Sequence, residues 1–166
     1  MSTMNAERIE VAMPVERLLC QLRVNAIPVA QPRQRHRVIT AGGRAFASNY
    51  TPQRDPVNAY KASIRAALSE AFSGPPLQGP LRVVVEFVFD RPKYLLKPRS
   101  YAGRILYTKK PDADNLVKST FDALNGLLWS DDAQCAIVEA SKWWRDLSEA
   151  PHVRLSVWQS SEWEVV

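Results

Sequence analysis

The 166-residue sequence is poor in cysteine and histidine, with two residues of each. Cys20 and Cys135 lie far apart, each within a stretch of alternating apolar residues, and no CxxC pair or Cys/His cluster is present. A structural zinc site is therefore not expected. Two isolated cysteines are typical of buried, reduced thiols, and they indicate a cytoplasmic protein without a disulfide framework.

Long apolar runs are missing as well. No apolar segment reaches the roughly 20 residues that a transmembrane helix requires. Residues 1–14, which include Glu7 and Glu10, lack the apolar stretch of a secretory signal. We therefore expect no membrane partner and a cytoplasmic location. Apolar residues still make up 46% of the chain, which is enough to form one core in a domain of this size.

Hydrophobic periodicity predicts one domain over residues 19–160, preceded by an N-terminal extension over 1–18. Strands are expected at 19–26, 81–90, 134–145 and 152–158, and helices at about 56–72 and 113–126. The last two strands are expected to form a hairpin, and residues 28–54 a hairpin or mobile loop that turns at Gly42-Gly43. This order predicts an α+β fold, in which two helices pack on a mixed β-sheet.

Charge is unevenly distributed along the chain, whose net charge is +5. Residues 23–61 and 91–110 each hold seven basic residues, whereas residues 111–139 hold six acidic residues against Lys118 alone. Two basic segments beside an acidic one suit a polyanionic ligand that is bound by the basic segments and attacked at the acidic segment. The alternative is an ordinary solvated surface.

The acidic segment contains two pairs of aspartates that flank the second predicted helix. Asp112 and Asp114 lie at its start, and Asp131 and Asp132 follow its end. The helix is about 18 Å long, and six residues can span roughly 20 Å when nearly extended. We therefore expect residues 127–132 to run back along the helix and bring one of the later aspartates to the first pair.

Three clustered carboxylates repel one another unless a cation or a proton lies between them. Mg²⁺ prefers oxygen ligands, polarises phosphoryl oxygens and activates water. Lys118, one helical turn after Asp114, is placed to neutralise charge on a phosphodiester under attack. The alternatives are a helix cap for Asp112 or Asp114, a polar turn at Asp131-Asp132, and a simple ion pair for Lys118.

Four short motifs of this segment resemble those of the RusA-type Holliday-junction resolvases, a family of crossover-junction endodeoxyribonucleases of phages, prophages and bacteria. The motifs are Pro111-Asp112-Ala113-Asp114-Asn115-Leu116, Lys118, Asp122-Ala123-Leu124-Asn125-Gly126 and Trp129-Ser130-Asp131-Asp132-Ala133-Gln134. The resemblance covers roughly residues 20–158. It implies a RusA-like homodimer that binds four-way DNA junctions in recombination and repair, and that cuts opposed strands with Mg²⁺ or Mn²⁺.

The resemblance also assigns roles to individual residues. It implies that Asp112, Asp114, Asp132 and Lys118 are catalytic and that the three aspartates bind the metal, with Asp131 as the alternative to Asp132. Basic residues of the two positive segments are predicted to contact DNA phosphates. They are Arg33, Arg35, Arg37, Arg44, Lys93, Lys97, Arg99, Arg104, Lys109 and Lys110. Two further alternatives are a less selective branched-DNA nuclease and a catalytically silent junction-binding protein.

Overall fold

A computed structural model gives the structure of the protein and describes residues 16–32, 35–41, 44–50, 52–96 and 102–160. Within these ranges the strands are β1 (Glu16–Val24), β2 (Arg35–Ala41), β3 (Arg44–Tyr50), β4 (Leu81–Phe89), β5 (Ile105–Leu106), β6 (Cys135–Trp144) and β7 (His152–Ser160). The α-helices are α1 (Pro56–Ala71) and α2 (Ala113–Leu124), and short 3₁₀ turns occur at Lys93–Leu95 and Asp132–Gln134.

Five strands form one mixed sheet in the order β1-β7-β4-β6-β5, and β2 pairs with β3 in a separate antiparallel ribbon. β4 is antiparallel to β7 and parallel to β6. The predicted α+β fold with a mixed sheet is confirmed, and so is the hairpin between the first strand and the first helix, although Gly42 and Gly43 at its turn lie outside the described residues.

The expected hairpin between the last two strands is wrong, because β4 lies between β6 and β7. One face of β4 is entirely apolar, with Val83, Val85 and Phe87 fully buried, and Val88 on the other face is fully buried as well. Such a strand is most stable in the middle of a sheet, where both of its edges are paired. The chain therefore crosses over β4 between Trp144 and His152 instead of turning back directly.

The core lies between one face of the sheet and the two helices. α1 begins where the sequence predicts, because the Asp55 carboxylate accepts a hydrogen bond from the Val57 amide at 3.0 Å and Pro56 occupies the first turn. α1 and α2 are joined by a buried hydrogen bond between Tyr60 and Thr120 at 2.8 Å and by an ion pair between Lys61 and Asp122 at 3.0 Å.

A segment that follows β1 crosses over α2 before it enters the β2–β3 ribbon. The Ser119 hydroxyl donates to the Val29 carbonyl at 2.6 Å, and the Gln31 amide donates to the Asn115 carbonyl at 2.9 Å. The ribbon therefore starts close to the first turns of α2. β1 itself begins at Glu16, inside the segment assigned to the N-terminal extension, and residues 1–15 lie outside the described part of the chain.

Across the residues described, no helix combines the length and the apolar character that a bilayer span requires.

Candidate active site

The start of α2 presents two carboxylates and one ammonium group to solvent. Asp112 is the N-cap residue, but its exposed side chain makes no capping hydrogen bond, so the helix-cap alternative does not describe it. Asp114 lies in the first turn, and among the described residues its carboxylate accepts only a long hydrogen bond from Asn115, at 3.4 Å. Lys118 is exposed one turn later, and the described ion pairs do not include one between it and Asp114.

The backbone that leads into α2 is held by two side chains, Lys142 of β6 and Tyr107, which follows β5. Lys142 of β6 donates to the carbonyls of Lys109 and Pro111, each at 2.7 Å, and the Tyr107 hydroxyl donates to the carbonyl of Lys110 between them. The Tyr107 ring packs between Phe89 and Trp144, with ring centroids 4.6 and 4.1 Å away. The residues immediately before Asp112 are therefore fixed against the sheet.

Lys142 was not selected by the sequence analysis, although a signal for it was present. It is the one charged side chain in the alternation Val138, Ala140, Lys142, Trp144, and in register it pairs with Phe87, a fully buried residue of β4. A charged residue on the core face of a strand needs a polar partner there.

The end of α2 is a tight turn rather than the start of a returning segment. The amides of Leu127 and Leu128 donate to the Leu124 carbonyl, and the amide of Gly126, whose φ is +74°, donates to the Trp129 carbonyl at 2.8 Å. The Leu77 amide then donates to Leu128 at 2.8 Å, which ties this turn to the residues before β4. The expectation that residues 127–132 run back along α2 is therefore wrong.

Asp131 and Asp132 have different surroundings after this turn. The Asp131 carboxylate accepts from the Ala133 amide at 2.9 Å, and the Gln134 side chain accepts from the Asp131 amide at 3.1 Å, so Asp131 caps the 3₁₀ turn. Gln134 also donates to the Leu77 carbonyl at 3.0 Å. Asp132 is exposed and has no such bond in the described structure. The polar-turn alternative thus describes Asp131, and Asp132 is the one left available to a ligand.

Within one chain, the two groups of aspartates lie at opposite ends of α2. The Pro111 carbonyl is 2.7 Å from the Lys142 ammonium at one end of β6, and Asp132 precedes Cys135 at the other end. Cys135 and Lys142 of β6 are about 23 Å apart along the strand. The described residues accordingly contain no group of three metal-ligating side chains. Asp112 and Asp114 supply oxygen ligands that suit Mg²⁺, but one chain does not complete the set.

Three of the predicted phosphate contacts surround this end of α2. Lys93, Lys109 and Lys110 are exposed, and the Lys109 ammonium lies 3.4 Å from the hydroxyl of the exposed Tyr94. Other predicted contacts cannot be placed at the level of side chains. Arg35, Arg37 and Arg44 lie on β2 and β3, whose side chains are not described, and Arg33, Lys97 and Arg99 lie outside the described residues.

Arg104 differs from these lysines because acidic partners already surround it. Its guanidinium donates to both carboxylate oxygens of Glu149, at 2.7 and 2.9 Å, and lies 3.4 Å from Glu86 and 3.3 Å from the ring of the buried His152. The hydrogen bond from Arg104 lowers the pKa of Glu149 below its ordinary value of 4.5. We therefore leave Arg104 out of the DNA-contacting set.

Two comparisons with known proteins bear on this arrangement. The profile of the family described as "Endodeoxyribonuclease RusA" matches residues 27–157, which is most of the chain and includes all the aspartates discussed above. A protein of Bacillus subtilis strain 168, described as "Uncharacterized protein YqaN", is 29% identical over 137 residues, which cover 78% of this chain and 89% of that protein. The motifs around Asp112 and Asp132 thus belong to a match that extends over both helices and most of the sheet, and the chain is a member of the RusA family of endodeoxyribonucleases.

Proposed function

We propose that the protein is a metal-dependent endodeoxyribonuclease that resolves four-way DNA junctions by hydrolysing phosphodiester bonds on opposed strands. The observation that carries this proposal is the start of α2, where Asp112 and Asp114 are exposed and Asp112 has no hydrogen-bond donor among the described residues. Adjacent carboxylates that lack protein donors favour a bound cation. An open, exposed position suits a macromolecular substrate such as DNA.

The side chains have distinct roles in this proposal. Asp112, Asp114 and Asp132 would hold Mg²⁺, or Mn²⁺ in its place, and the ion would activate water and stabilise charge on the phosphate. Lys118 would place its ammonium group near the same phosphate and offset charge that develops during cleavage. Asp131 is assigned to the 3₁₀ turn instead, because its carboxylate is already engaged.

The outer edge of β6 supports a homodimer. In the described structure β5 covers only the Trp143–Trp144 end of β6, and nothing described pairs with the edge between Cys135 and Ser141. Ile137 and Val138 on this edge are 38% and 42% exposed. An uncovered apolar edge strand pairs readily with another strand. We propose that a second copy pairs there in antiparallel orientation, so that the two edges are related by a two-fold axis.

This pairing would also complete the set of carboxylates. When two antiparallel β6 strands are centred near Val138, the beginning of one strand lies beside the end of the other. Asp132 precedes the beginning of β6, and Asp112 lies beside its end. The partner's Asp132 would therefore approach Asp112 and Asp114, and each of the two sites would be shared between subunits.

Basic residues around each site would bind the DNA backbone. The exposed Lys93, Lys109 and Lys110 lie next to the start of α2, and the segment that crosses α2 places the β2–β3 ribbon, with Arg35, Arg37 and Arg44, nearby. Arg33, Lys97 and Arg99 remain in the proposed set. Contacts of this kind supply affinity without reading sequence, and two symmetric sites suit cleavage of two opposed strands.

The proposal is tested by the cleavage of a labelled synthetic four-way junction by the wild type and by Asp114→Asn, each with Mg²⁺, Mn²⁺ or EDTA. Paired nicks on opposed strands are expected with either metal, but not with EDTA or with the variant. A flap and a linear duplex serve as matched substrates. Equal cleavage of all three would indicate a less selective branched-DNA nuclease. Binding of the junction without any cleavage would overturn the enzymatic proposal and favour the DNA-binding alternative.

A further inference from the structure

Lys142 holds the chain immediately before the proposed metal ligands. Its ammonium group is 2.7 Å from the carbonyl oxygens of both Lys109 and Pro111, and it lies 4.9 Å from the centre of the Tyr107 ring. Tyr107 binds the intervening Lys110 carbonyl through its hydroxyl, and its own amide donates to the Lys142 carbonyl at 3.0 Å. Three consecutive carbonyls before Asp112 are thus held from the sheet by two side chains.

The contacts of Lys142 leave little capacity for DNA. An ammonium group has three N–H donors. Two of them are used by backbone carbonyls, and the face of Tyr107 lies next to the third. Lys142 is also partly buried, whereas Lys118 and Lys93 are exposed and make no comparable contacts in the described structure. The lysines near this site therefore divide into one that holds backbone and others that face solvent.

We propose that Lys142 is a positioning residue, which fixes the backbone of residues 109–111 so that the Asp112 carboxylate stays in place to bind the metal. Charge-assisted hydrogen bonds are short and strong, and two of them from one ammonium group restrict the peptide at both ends of a three-residue segment. Metal ligands that lose such support typically lose 10- to 100-fold in metal affinity, as an order of magnitude. This inference rests on the proposed role of Asp112.

The decisive comparison is between Lys142→Met and Lys93→Met, which remove one positive charge each from the same region. For Lys142→Met, we expect Mn²⁺ binding to the DNA-free protein, measured by electron paramagnetic resonance, to weaken by roughly 10-fold. The Mg²⁺ concentration for half-maximal cleavage should rise, while junction binding in EDTA stays unchanged. For Lys93→Met, we expect Mn²⁺ binding and the Mg²⁺ requirement to stay unchanged and junction binding in EDTA to weaken. The reason is that an exposed lysine contributes to phosphate binding and to its salt dependence.

A second pair of variants covers the case in which Lys142→Met does not fold. Lys142→Arg keeps donors for both carbonyls and should retain most of the Mn²⁺ affinity, whereas Tyr107→Phe removes the hydroxyl contact to Lys110 and should weaken Mn²⁺ binding by a few-fold. Hydrogen exchange of the peptide that covers residues 108–116 should become faster in Lys142→Met and in Tyr107→Phe, with the rest of the chain unchanged.

The outcomes separate the two proposals. If the wild type cuts junctions, and Tyr107→Phe and any folded Lys142→Met protein keep wild-type Mn²⁺ binding, Mg²⁺ dependence and exchange rates, the positioning role is overturned while the nuclease stands. If the wild type cuts no DNA, yet Mn²⁺ binding and exchange still depend on Lys142, the nuclease proposal fails and the positioning role stands. Weaker Mn²⁺ binding that is accompanied by equal loss of junction binding in EDTA would also count against positioning.

Discussion

Two charged regions of the molecule, one around Arg104 before β5 and one at the start of α2 after it, use their charged side chains in opposite ways. Around Arg104, each charged group has partners: Glu149, Glu86 and the buried His152 surround one guanidinium. At the start of α2, Asp112 and Lys118 have no partner among the described residues. A charge that is satisfied within the protein stabilises the fold, whereas a charge left open to solvent is available to a ligand. The contrast supports a structural role for the first region and the proposed metal-binding role for the second.

The largest effect is expected from Asp112→Asn. Loss of one metal ligand should lower single-turnover cleavage by roughly 10³-fold. Junction binding should be kept or become tighter, because a negative charge near the phosphate is removed. Since the Asp112 side chain is exposed and does not cap α2, the free energy of unfolding measured in urea should change by less than about 0.5 kcal/mol. A fall in the free energy of unfolding well beyond this limit would mean that Asp112 is a structural residue.

The separation of Asp112 from Asp132 predicts complementation between two inactive variants. When Asp112→Asn and Asp132→Asn proteins are mixed and allowed to exchange subunits, each heterodimer should hold one fully mutated site and one intact site. Random exchange should then restore about a quarter of the wild-type sites, detected as single-strand nicks in the junction.

The matched control for this experiment is a mixture of Asp112→Asn with Asp114→Asn. These residues lie on the same side of the proposed interface, so neither site of that heterodimer is intact. If all three aspartates acted within one chain, both mixtures would stay inactive, and the shared site would be excluded.

Analytical ultracentrifugation of Val138→Lys tests the same interface, because a charged side chain on the exposed edge of β6 should shift the protein towards the monomer.

The sequence predicted local features well because their causes are local. Asp55-Pro56 begins α1 and Gly126 follows α2, as capping chemistry requires. The position of Asp112 and Asp114 at the start of α2 was also predicted correctly, whereas their role stays a prediction. What failed depends on distant partners. The alternating pattern of the last two strands does not show that β4 lies between them, and the tight turn after Leu124 depends on its bond to Leu77.

Arg104 and Lys142 show the same limitation for individual charges. In the sequence, Arg104 is one of seven bases in a segment without acidic residues, because its partner Glu149 lies 45 residues away. For Lys142 the sequence shows a charged residue within an apolar alternation, but it does not show the acceptors, which are backbone carbonyls that the topology brings to it. Charge counts along a chain therefore cannot separate paired from available residues.

A smaller effect, on stability alone, is expected from Arg104→Met. The change leaves Glu149 and Glu86 near each other without their shared partner, and their side chains are 16% and 29% exposed. Hydrogen bonds to charged groups at partly exposed positions are worth roughly 1–2 kcal/mol. The free energy of unfolding should fall by about that amount, while cleavage by the folded enzyme changes by less than about twofold. A loss of junction affinity without a loss of stability would return Arg104 to the DNA-contacting set.

The smallest effect concerns the pH dependence of stability. The hydrogen bond from Arg104 lowers the pKa of Glu149 below 4.5 in the folded protein. A carboxyl group whose pKa is lowered by folding stabilises the folded state at every pH above its pKa in the unfolded chain. This contribution is lost as the pH falls through the pKa of the folded state. Wild-type stability, measured by urea unfolding between pH 7 and pH 3, should therefore decline below about pH 4.5. Glu149→Gln has no proton to gain at this position, so its decline over the same range should be shallower. Parallel curves for the two proteins would show that ionisation of Glu149 contributes nothing to stability through Arg104. The region around Arg104 would then have no demonstrated structural role to set against the start of α2.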